Sequence, residues 1–277
     1  MEVEISVFGA TGFIGSEFCS LTKNKTIPIA RESRIPLSDQ SVYFISTTDN
    51  YNVFSDLHKD IDVNLTVLVD VLKNLVPGRS VFNFISSWFV YGDAKLPANE
   101  ESPTNPKGFY SITKKCAEDL IVSYCQTFGI SYRILRLSNV YGTSDKNYSK
   151  KKNALQFLIE EMRANRPIEL YHDGNFLRDY MHVSDVVCAI DLCLEAAPLN
   201  SIMNIGTGEK VVFRNIIEQA QKLLKSHSQI FKIDPPHVHN VVQVKDFYMD
   251  ITKLKKLGFR PTFTLIEGIE ILCGAKQ

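Results

Sequence analysis

The sequence predicts an α/β protein with a parallel central sheet and helices on both of its faces. Near the amino terminus, apolar residues alternate as in a strand over 3–7, and after several glycines they follow helical spacing over 14–21. Helical patterns also separate the later members of a series of strand candidates, which cover 27–30, 42–46, 81–85 and 132–137. Strands that alternate with helices in this way imply right-handed crossovers and a parallel sheet.

The second half of the chain is predicted to be mainly helical, with short strands and loops between the helices. Apolar residues follow helical spacing over 155–162, 183–194 and 216–224, and again in a last helix that carries Leu265, Ile269 and Leu272. The sequence contains no internal repeat and no flexible linker. We therefore expect one large core or two closely joined lobes.

Composition favours a protein that binds small molecules. The 277 residues include 31 Lys and Arg against 31 Asp and Glu, so no overall basic field favours nucleic acid or an anionic membrane. The chain begins directly with a strand pattern and no stretch approaches membrane-spanning length, so we expect a cytoplasmic location. The cysteines form no CxxC pair and are interpreted as reduced packing residues without a metal: Cys19, Cys116, Cys125, Cys188, Cys193 and Cys273.

A glycine-rich segment between the first strand and the first helix predicts a dinucleotide site. Small residues there allow backbone N–H groups to approach a pyrophosphate at the positive end of a helix, and Gly15 allows close packing of helix on strand. A tight turn without a ligand is the alternative interpretation. The predicted cofactor-binding residues in this segment are Gly9, Thr11, Gly12, Phe13, Ile14 and Gly15.

The end of the second predicted strand bears on which cofactor is used. NAD enzymes usually place an acidic residue there to bind the adenosine ribose, whereas this chain has Arg31. A guanidinium suits a 2′-phosphate, and with Ser33 and Arg34 it favours NADP over NAD. The neighbouring Glu32 leaves NAD open, and both arginines could instead be ordinary surface residues.

Four polar residues suggest acid–base chemistry. Tyr110 and Lys114 lie four residues apart on a predicted helix, so both project from one face. A nearby cation stabilises a phenolate, which makes a tyrosine usable as an acid or base at neutral pH. The strand 81–85 delivers Ser86 and Ser87 to its carboxyl end, where ligands bind in open α/β sheets.

Taken together, the motifs resemble those of extended short-chain dehydrogenase/reductases of the NAD-dependent epimerase/dehydratase family, which modify nucleotide sugars. The resemblance covers nearly the whole chain. It implies a Rossmann-type sheet over 1–137 and 183–206 and a smaller mixed carboxy-terminal substrate lobe over 138–182 and 207–277. Its markers are the glycine loop, Ser86-Ser87 with Val90-Tyr91-Gly92, Tyr110 with Lys114, Leu135 to Gly142, Arg178-Asp179-Tyr180, His182 to Asp185 and Asn204 to Gly208.

The resemblance implies roles for individual residues. Ser87 lies four residues before the tyrosine of the Val90-Tyr91-Gly92 element, which makes it the catalytic hydroxyl beside Tyr110 and Lys114. Asn139 is expected to contact a substrate phosphate and Arg178 the diphosphate, although a turn cap and a surface ion pair are their plain alternatives. Trp88 either lines the sugar pocket or packs under the sheet edge. For His182 and Asp185 we expect an N-cap or structural hydrogen bonds.

Three departures from the family pattern narrow the prediction. Only about ten residues separate the second and third strand candidates, too few for a further strand and crossover helix, so the sheet is predicted to be truncated after the second strand. Trp88-Phe89 stands where dehydratases carry Asp-Glu, which argues against dehydration. Near the carboxy terminus, where many relatives carry an arginine for the diphosphate, the chain offers His237, His239, Lys245 and Asp250.

We therefore predict a 4-ketoreductase that uses NADPH to reduce a nucleotide-linked 4-keto-deoxysugar. A nucleotide-sugar 4-epimerase using NAD would need the same residues and is the first alternative. A non-catalytic dinucleotide-binding sensor on the same fold is a more distant one. Relatives commonly dimerise through two helices per subunit, so we expect a homodimer with a four-helix interface formed by 56–75 and 106–128.

Overall fold

A six-stranded, wholly parallel sheet forms the centre of the protein. The computed structural model describes residues 3–48, 50–146, 149 and 154–275. Numbered along the chain, the sheet strands are β1 (Glu4–Phe8), β2 (Lys25–Pro28), β3 (Gln40–Tyr43), β4 (Val81–Ser87), β5 (Ser131–Leu137) and β10 (Ser201–Ile205). They lie in the order β10-β5-β4-β3-β1-β2, and every neighbouring pair is parallel. This confirms the predicted fold class.

Helices cover both faces of this sheet, as predicted. The helices are α1 (Phe13–Leu21), α2 (Lys59–Ile61), α3 (Val67–Leu72), α4 (Gly108–Phe128), α5 (Ala154–Arg163), α6 (Val183–Ala196), α7 (Phe213–Leu224), α8 (His237–Val242), α9 (Thr252–Lys256) and α10 (Leu265–Cys273). A π-helical segment, Asp62–Thr66, joins α2 to α3. Val7 and Val42 point to a core shared with α1 and α6, whereas Phe8 and Tyr43 point to a core shared with α3 and α4.

The second and third strands begin two residues earlier than the apolar pattern indicated. Pairing with β1 sets their register, because Glu4 lies opposite Lys25 and Ile5 lies opposite Gln40. Backbone hydrogen bonds, which carry no sequence signal, therefore fix these boundaries. Residues 29–39 contain no helix or strand, so β2 is the sheet edge and the predicted truncation is confirmed.

Three short strand pairs belong to a smaller, mixed part of the fold. β7 (Ile168–Tyr171) pairs with β12 (Ile230–Ile233) in parallel, and β6 (Asn139–Tyr141) pairs with β9 (Tyr180–His182) in parallel. The antiparallel pair is β8 (Leu177–Arg178) with β11 (Val211–Val212). α5, α7 and α10 close a separate apolar core over these strands. The predicted lobe boundaries stay a prediction.

All six cysteines are free, and Cys125, Cys193 and Cys273 are buried as packing residues, but Cys188 is exposed. Within the described ranges, no cluster of three or more His, Cys, Asp or Glu side chains is arranged to hold a metal ion. None of the described helices has the length and apolar character needed to cross a bilayer.

Candidate active site

The glycine loop lies between β1 and α1 and brings its own backbone into close contact. Gly9 has φ +81°, and a Cβ there would meet the Ile45 backbone nitrogen at 3.0 Å. At Gly15 a Cβ would lie only 2.2 Å from the Gly9 carbonyl oxygen. The sequence therefore needs glycine at these two positions for steric reasons, and the amino terminus of α1 is left open to an approaching anion.

A cavity of about 1000 Å³ runs from this loop to the carboxy-terminal strands. The ends of β4 and β5, the start of α4 and residues around β7 and α8 form its walls. Of the residues predicted for the site, those on the wall are Gly9, Gly12, Phe13, Ile14, Gly15, Ser87, Trp88, Tyr110, Lys114, Asn139 and Arg178. The fold thus brings the predicted cofactor loop and the catalytic candidates to one space.

Two neighbouring serines at the end of β4 have different partners. The Ser87 hydroxyl accepts a hydrogen bond from the Phe89 backbone N–H at 3.3 Å and lies on the cavity wall. The Ser86 hydroxyl instead donates to Glu118 Oε1 at 2.5 Å, inside the protein. Ser87, rather than Ser86, therefore presents its hydroxyl to the cavity, where it also contacts the Tyr110 phenol.

Tyr110 is nearly enclosed, with 9% of its surface exposed. Burial raises the pKa of its phenol, and the negative charge of Asp60 raises it further, while the hydroxyls of Ser87 and Ser46 oppose the rise. The Phe89 ring packs edge-on against it, with 5.9 Å between ring centres. These surroundings hold the phenol in its protonated form at neutral pH.

Lys114 projects from α4 one turn after Tyr110, as its spacing predicted. Its Nζ donates to the Ile85 carbonyl at 2.6 Å and lies 4.1 Å from the centre of the Phe84 ring. Burial lowers the pKa of Lys114 to about 7, and the charge of Glu118 partly opposes this shift. The lysine can therefore gain or lose a proton near neutral pH.

A buried ion pair lies behind these residues, and the sequence analysis did not predict it. Arg136 on β5 donates from Nε and Nη2 to both carboxylate oxygens of Glu118 at 3.0 and 2.7 Å. The guanidinium also lies over the Tyr91 ring, at 4.6 Å. Glu118 lies four residues after Lys114, on the face of α4 that carries Tyr110 and Lys114. This spacing is the sequence signal by which Glu118 could have been predicted to lie near the site.

Three of the predicted substrate residues, Trp88, Asn139 and Arg178, make contacts within the protein. Asn139 Nδ2 donates to the Asp179 carbonyl at 2.9 Å. Arg178 Nη1 donates to the Leu177 carbonyl at 2.8 Å and also to that of Lys245. Trp88 stacks between Phe89 and Phe247, with ring centres 3.9 and 4.5 Å away. Trp88 therefore lies on the cavity wall and is packed between aromatic rings, and its contact with a sugar stays a prediction.

The residues predicted for the adenosine ribose lie on the loop after β2. Arg31 is exposed, and Arg34 Nη1 donates to the Arg31 and Ser33 carbonyls at 2.6 and 3.1 Å. Arg31, Ser33, Arg34 and the exposed Thr11 are not on the wall of the cavity. The loop therefore lies outside the space that holds the catalytic candidates.

His182 and Asp185 have the structural hydrogen bonds expected of them. His182 Nδ1 caps α6 by accepting from the Ser184 N–H at 3.3 Å. The Asp185 carboxylate accepts from the backbone N–H groups of Thr262 and Phe263 at 3.0 and 3.1 Å. These contacts join α6 to the segment before α10.

Comparison with known proteins identifies the family. Residues 46–206 match the model of the NAD dependent epimerase/dehydratase family. The dTDP-4-dehydro-6-deoxyglucose reductase of Escherichia coli is 27% identical over 234 residues, which cover 83% of this chain and 72% of that protein.

Solved structures agree in fold. UDP-glucose 4-epimerase from Thermotoga maritima, determined with UDP-glucose, superposes with a TM-score of 0.86 at 22% identity and covers 98% of this chain and 97% of that one. RMD from Pseudomonas aeruginosa, complexed with NADPH, gives 0.84 at 21% identity, with 98% of each chain covered. The chain belongs to the NAD-dependent epimerase/dehydratase family and is an NAD(P)-dependent enzyme of the short-chain dehydrogenase/reductase type.

Proposed function

We propose that the protein is a 4-ketoreductase that uses NADPH to reduce a nucleotide-linked 4-keto-deoxysugar. The observation that carries the proposal is that Ser87, Tyr110 and the glycine loop share one cavity wall. The reductase from Escherichia coli supports the same reaction class. The high pKa of the Tyr110 phenol adds support, because reduction of a ketone needs a proton donor.

The glycine loop fits a dinucleotide. Gly15 leaves no room for a side chain beside the Gly9 carbonyl, and α1 has no acidic residue in its first turn to repel a phosphate. Residues Gly9 to Gly15 would hold the pyrophosphate, and Arg31 with Ser33 would contact a 2′-phosphate. We infer a preference for NADP from this loop, with NAD as the alternative.

Three side chains would perform the protein's part of the reaction. A bound reduced nicotinamide supplies the hydride that the keto carbon accepts. Ser87 donates a hydrogen bond to the carbonyl oxygen and polarises it, and Tyr110 donates the proton that converts this oxygen to a hydroxyl. Lys114, anchored beside the end of β4, would bind the nicotinamide ribose and compensate the phenolate that remains.

The nucleotide would occupy the other end of the cavity. Asn139 and Arg178 lie on the wall there, together with His239 and Lys245. Positively charged and hydrogen-bonding side chains of this kind suit a diphosphate. The guanidinium of Arg178 would have to leave at least one of its present carbonyl partners to make such a contact.

The test is to mix the enzyme with 4-keto nucleotide sugars and follow NADPH oxidation. We expect one mole of NADPH to be oxidised for each mole of hydroxy sugar formed, with a slower reaction when NADH replaces it. Redox-neutral interconversion of two 4-hydroxy sugars, without added reduced cofactor, would instead establish the epimerase. The Tyr110→Phe variant serves as the inactive control in both assays.

We further propose a homodimer through α2, α3 and α4. Apolar side chains are exposed along these helices at Ile61, Val69, Ile112 and Leu120, with 37 to 51% of each surface accessible. A second copy presenting the same face would cover them in a four-helix arrangement. Ile112→Asp should halve the mass measured by light scattering, whereas Leu199→Asp, on another exposed surface, should leave it unchanged.

A further inference from the structure

A buried carboxylate lies behind Tyr110 and takes no part in the proposed reduction. Asp60, on α2, is 1% exposed. Its Oδ1 accepts hydrogen bonds from Thr47 Oγ1 and from Asn52 Nδ2, the second at 3.0 Å. Among the described residues, no lysine, arginine or histidine pairs with it. Burying a carboxylate without a cation reduces the stability of the fold. Packing alone therefore does not explain why Asp60 occupies this position.

Asp60 belongs to a hydrogen-bonded cluster in which the donor and the acceptor of each hydrogen bond can be assigned. A carboxylate can only accept, so Thr47 gives it the hydroxyl hydrogen, and Thr47 Oγ1 accepts from Asn64 Nδ2 at 2.9 Å. Asn64 Nδ2 also donates to Thr113 Oγ1 at 2.9 Å. The amide is thereby oriented with its oxygen towards the Thr47 N–H, at 2.8 Å, and towards Ser46.

The cluster ends at the Tyr110 phenol through Ser46. The single hydroxyl hydrogen of Ser46 has two acceptors inside the cluster, the Thr47 carbonyl at 2.6 Å and Asn64 Oδ1 at 3.1 Å. Ser46 Oγ also contacts the Tyr110 phenol, and its hydroxyl there opposes the rise in the pKa of the phenol. Ser46 therefore joins the cluster to the phenol, while the negative charge of Asp60 favours the protonated phenol.

Among the described residues, Asp60 is the charged side chain that opposes loss of the Tyr110 phenol proton. On α4, the helix that carries Tyr110, the Lys114 ammonium donates to the Ile85 carbonyl, and the Glu118 carboxylate is paired with Arg136. At the start of α4, Lys107 is paired with Asp93. From the ends of β3 and β4, the groups that meet the phenol are the uncharged hydroxyls of Ser46 and Ser87.

We propose that Asp60 is a positioning residue for Tyr110: its carboxylate, held in place through Thr47 and Asn64, keeps the phenol in its proton-carrying form. Asp60 touches no substrate atom in this scheme and acts only through Tyr110. The proposal deepens the proposed reductase function on which it rests. A phenol held protonated suits donation to a carbonyl oxygen, whereas removal of a proton from a sugar hydroxyl needs the phenolate.

The test compares Asp60→Asn with the wild-type protein. The amide oxygen can accept the same two hydrogen bonds, so the variant removes the charge while preserving the contacts. The Tyr110 titration is read by ultraviolet absorbance of the phenolate, with Tyr110→Phe subtracted to remove the other tyrosines. We expect the titration to move to lower pH by roughly one unit in Asp60→Asn. An unchanged titration would overturn the proposal.

Two further variants separate charge from packing. Asp60→Glu keeps a carboxylate and should titrate like the wild type, and a downward shift equal to that of Asp60→Asn would overturn the proposal. Asp62→Asn makes the same chemical change at an exposed position two residues away and should move nothing. The titration needs no substrate, so it stands even where the sugar assays fail. Where they succeed, the alkaline limb of kcat/KM should move with it.

Discussion

Lys114 Nζ donates a hydrogen bond of 2.6 Å to the Ile85 carbonyl, two residues before Ser87 on β4. The contact ties the helix that carries Tyr110 to the strand end that carries Ser87. Because both elements are rigid, the phenol and the serine hydroxyl are held at a fixed separation before any ligand arrives. The ammonium is buried to achieve this, which gives the site a measurable cost in stability.

We expect Lys114→Met to stabilise the fold while abolishing turnover. Folded Lys114 has a pKa of about 7 against 10.5 for an ordinary lysine. The unfolded chain therefore binds more protons between these values, so wild-type stability rises as pH increases from about 7 to 10.5. An apolar side chain avoids the penalty, which is fully present below pH 7, and should add about 1–4 kcal/mol there.

Urea unfolding measured across the pH range checks this prediction. At pH 6 the free energy of unfolding of Lys114→Met should exceed that of the wild type. The two free energies should converge as the pH approaches 10.5, the pKa of an ordinary lysine. Lys115→Met, which alters the neighbouring lysine paired with Asp119 on the protein surface, is the matched control. If the variant is less stable than the wild type at pH 6, burial of the Lys114 charge does not destabilise the fold and the interpretation is wrong.

Tyr110→Phe removes one oxygen and leaves the ring and its packing against Phe89. Since Tyr110 is the proton donor of the proposed reduction, we expect kcat to fall by about 100- to 10,000-fold with little change in KM. Steady-state kinetics with a 4-keto nucleotide sugar provides the measurement. Full activity would remove Tyr110 from the reaction.

Gly15→Ala should damage cofactor binding more than folding. The new methyl group would meet the Gly9 carbonyl oxygen at 2.2 Å, so the loop must move away from the place where it approaches a pyrophosphate. We expect the Kd for NADPH to rise by roughly tenfold or more, measured by fluorescence titration. Gly78→Ala has open space around its Cβ, and wild-type affinity is expected for it.

Glu118→Gln should destabilise the protein strongly. Arg136 would keep a charge that is 2% exposed but would lose the carboxylate that neutralises it. Breaking a buried ion pair from one side costs about 3–5 kcal/mol. Thermal unfolding should show this as a fall in Tm. Glu161 forms an ion pair with Arg166 at the surface, so Glu161→Gln is the control and should lower Tm much less.

Arg31→Ala tests the preference for NADP. Loss of the guanidinium should weaken NADPH about tenfold, since a charged hydrogen bond to a phosphate oxygen would be removed, while NADH affinity should stay the same. Binding of both cofactors to wild type and variant gives the answer. A wild-type preference for NADH, or an equal loss for both cofactors, would reject the role of Arg31.

Local patterns carried much of the prediction. The glycine spacing located the β1–α1 loop, and the Tyr110/Lys114 spacing placed both residues on one face of α4. The alternation of strands and helices also predicted a parallel sheet, and the short interval after β2 predicted its truncation. All of these depend on residues that are close in sequence, where periodicity and chain length already constrain the geometry.

Other features depend on contacts between distant parts of the chain. The sequence does not show that Asp60 and Asn64 pack behind Tyr110, or that Arg136 lies against Glu118, because a carboxylate or guanidinium looks the same in sequence whether it is buried or exposed. Burial and nearby charge then shift the pKa values of Tyr110 and Lys114. The sequence by itself determined which groups can do chemistry, and the tertiary structure decided their protonation, since desolvation and charge act through space.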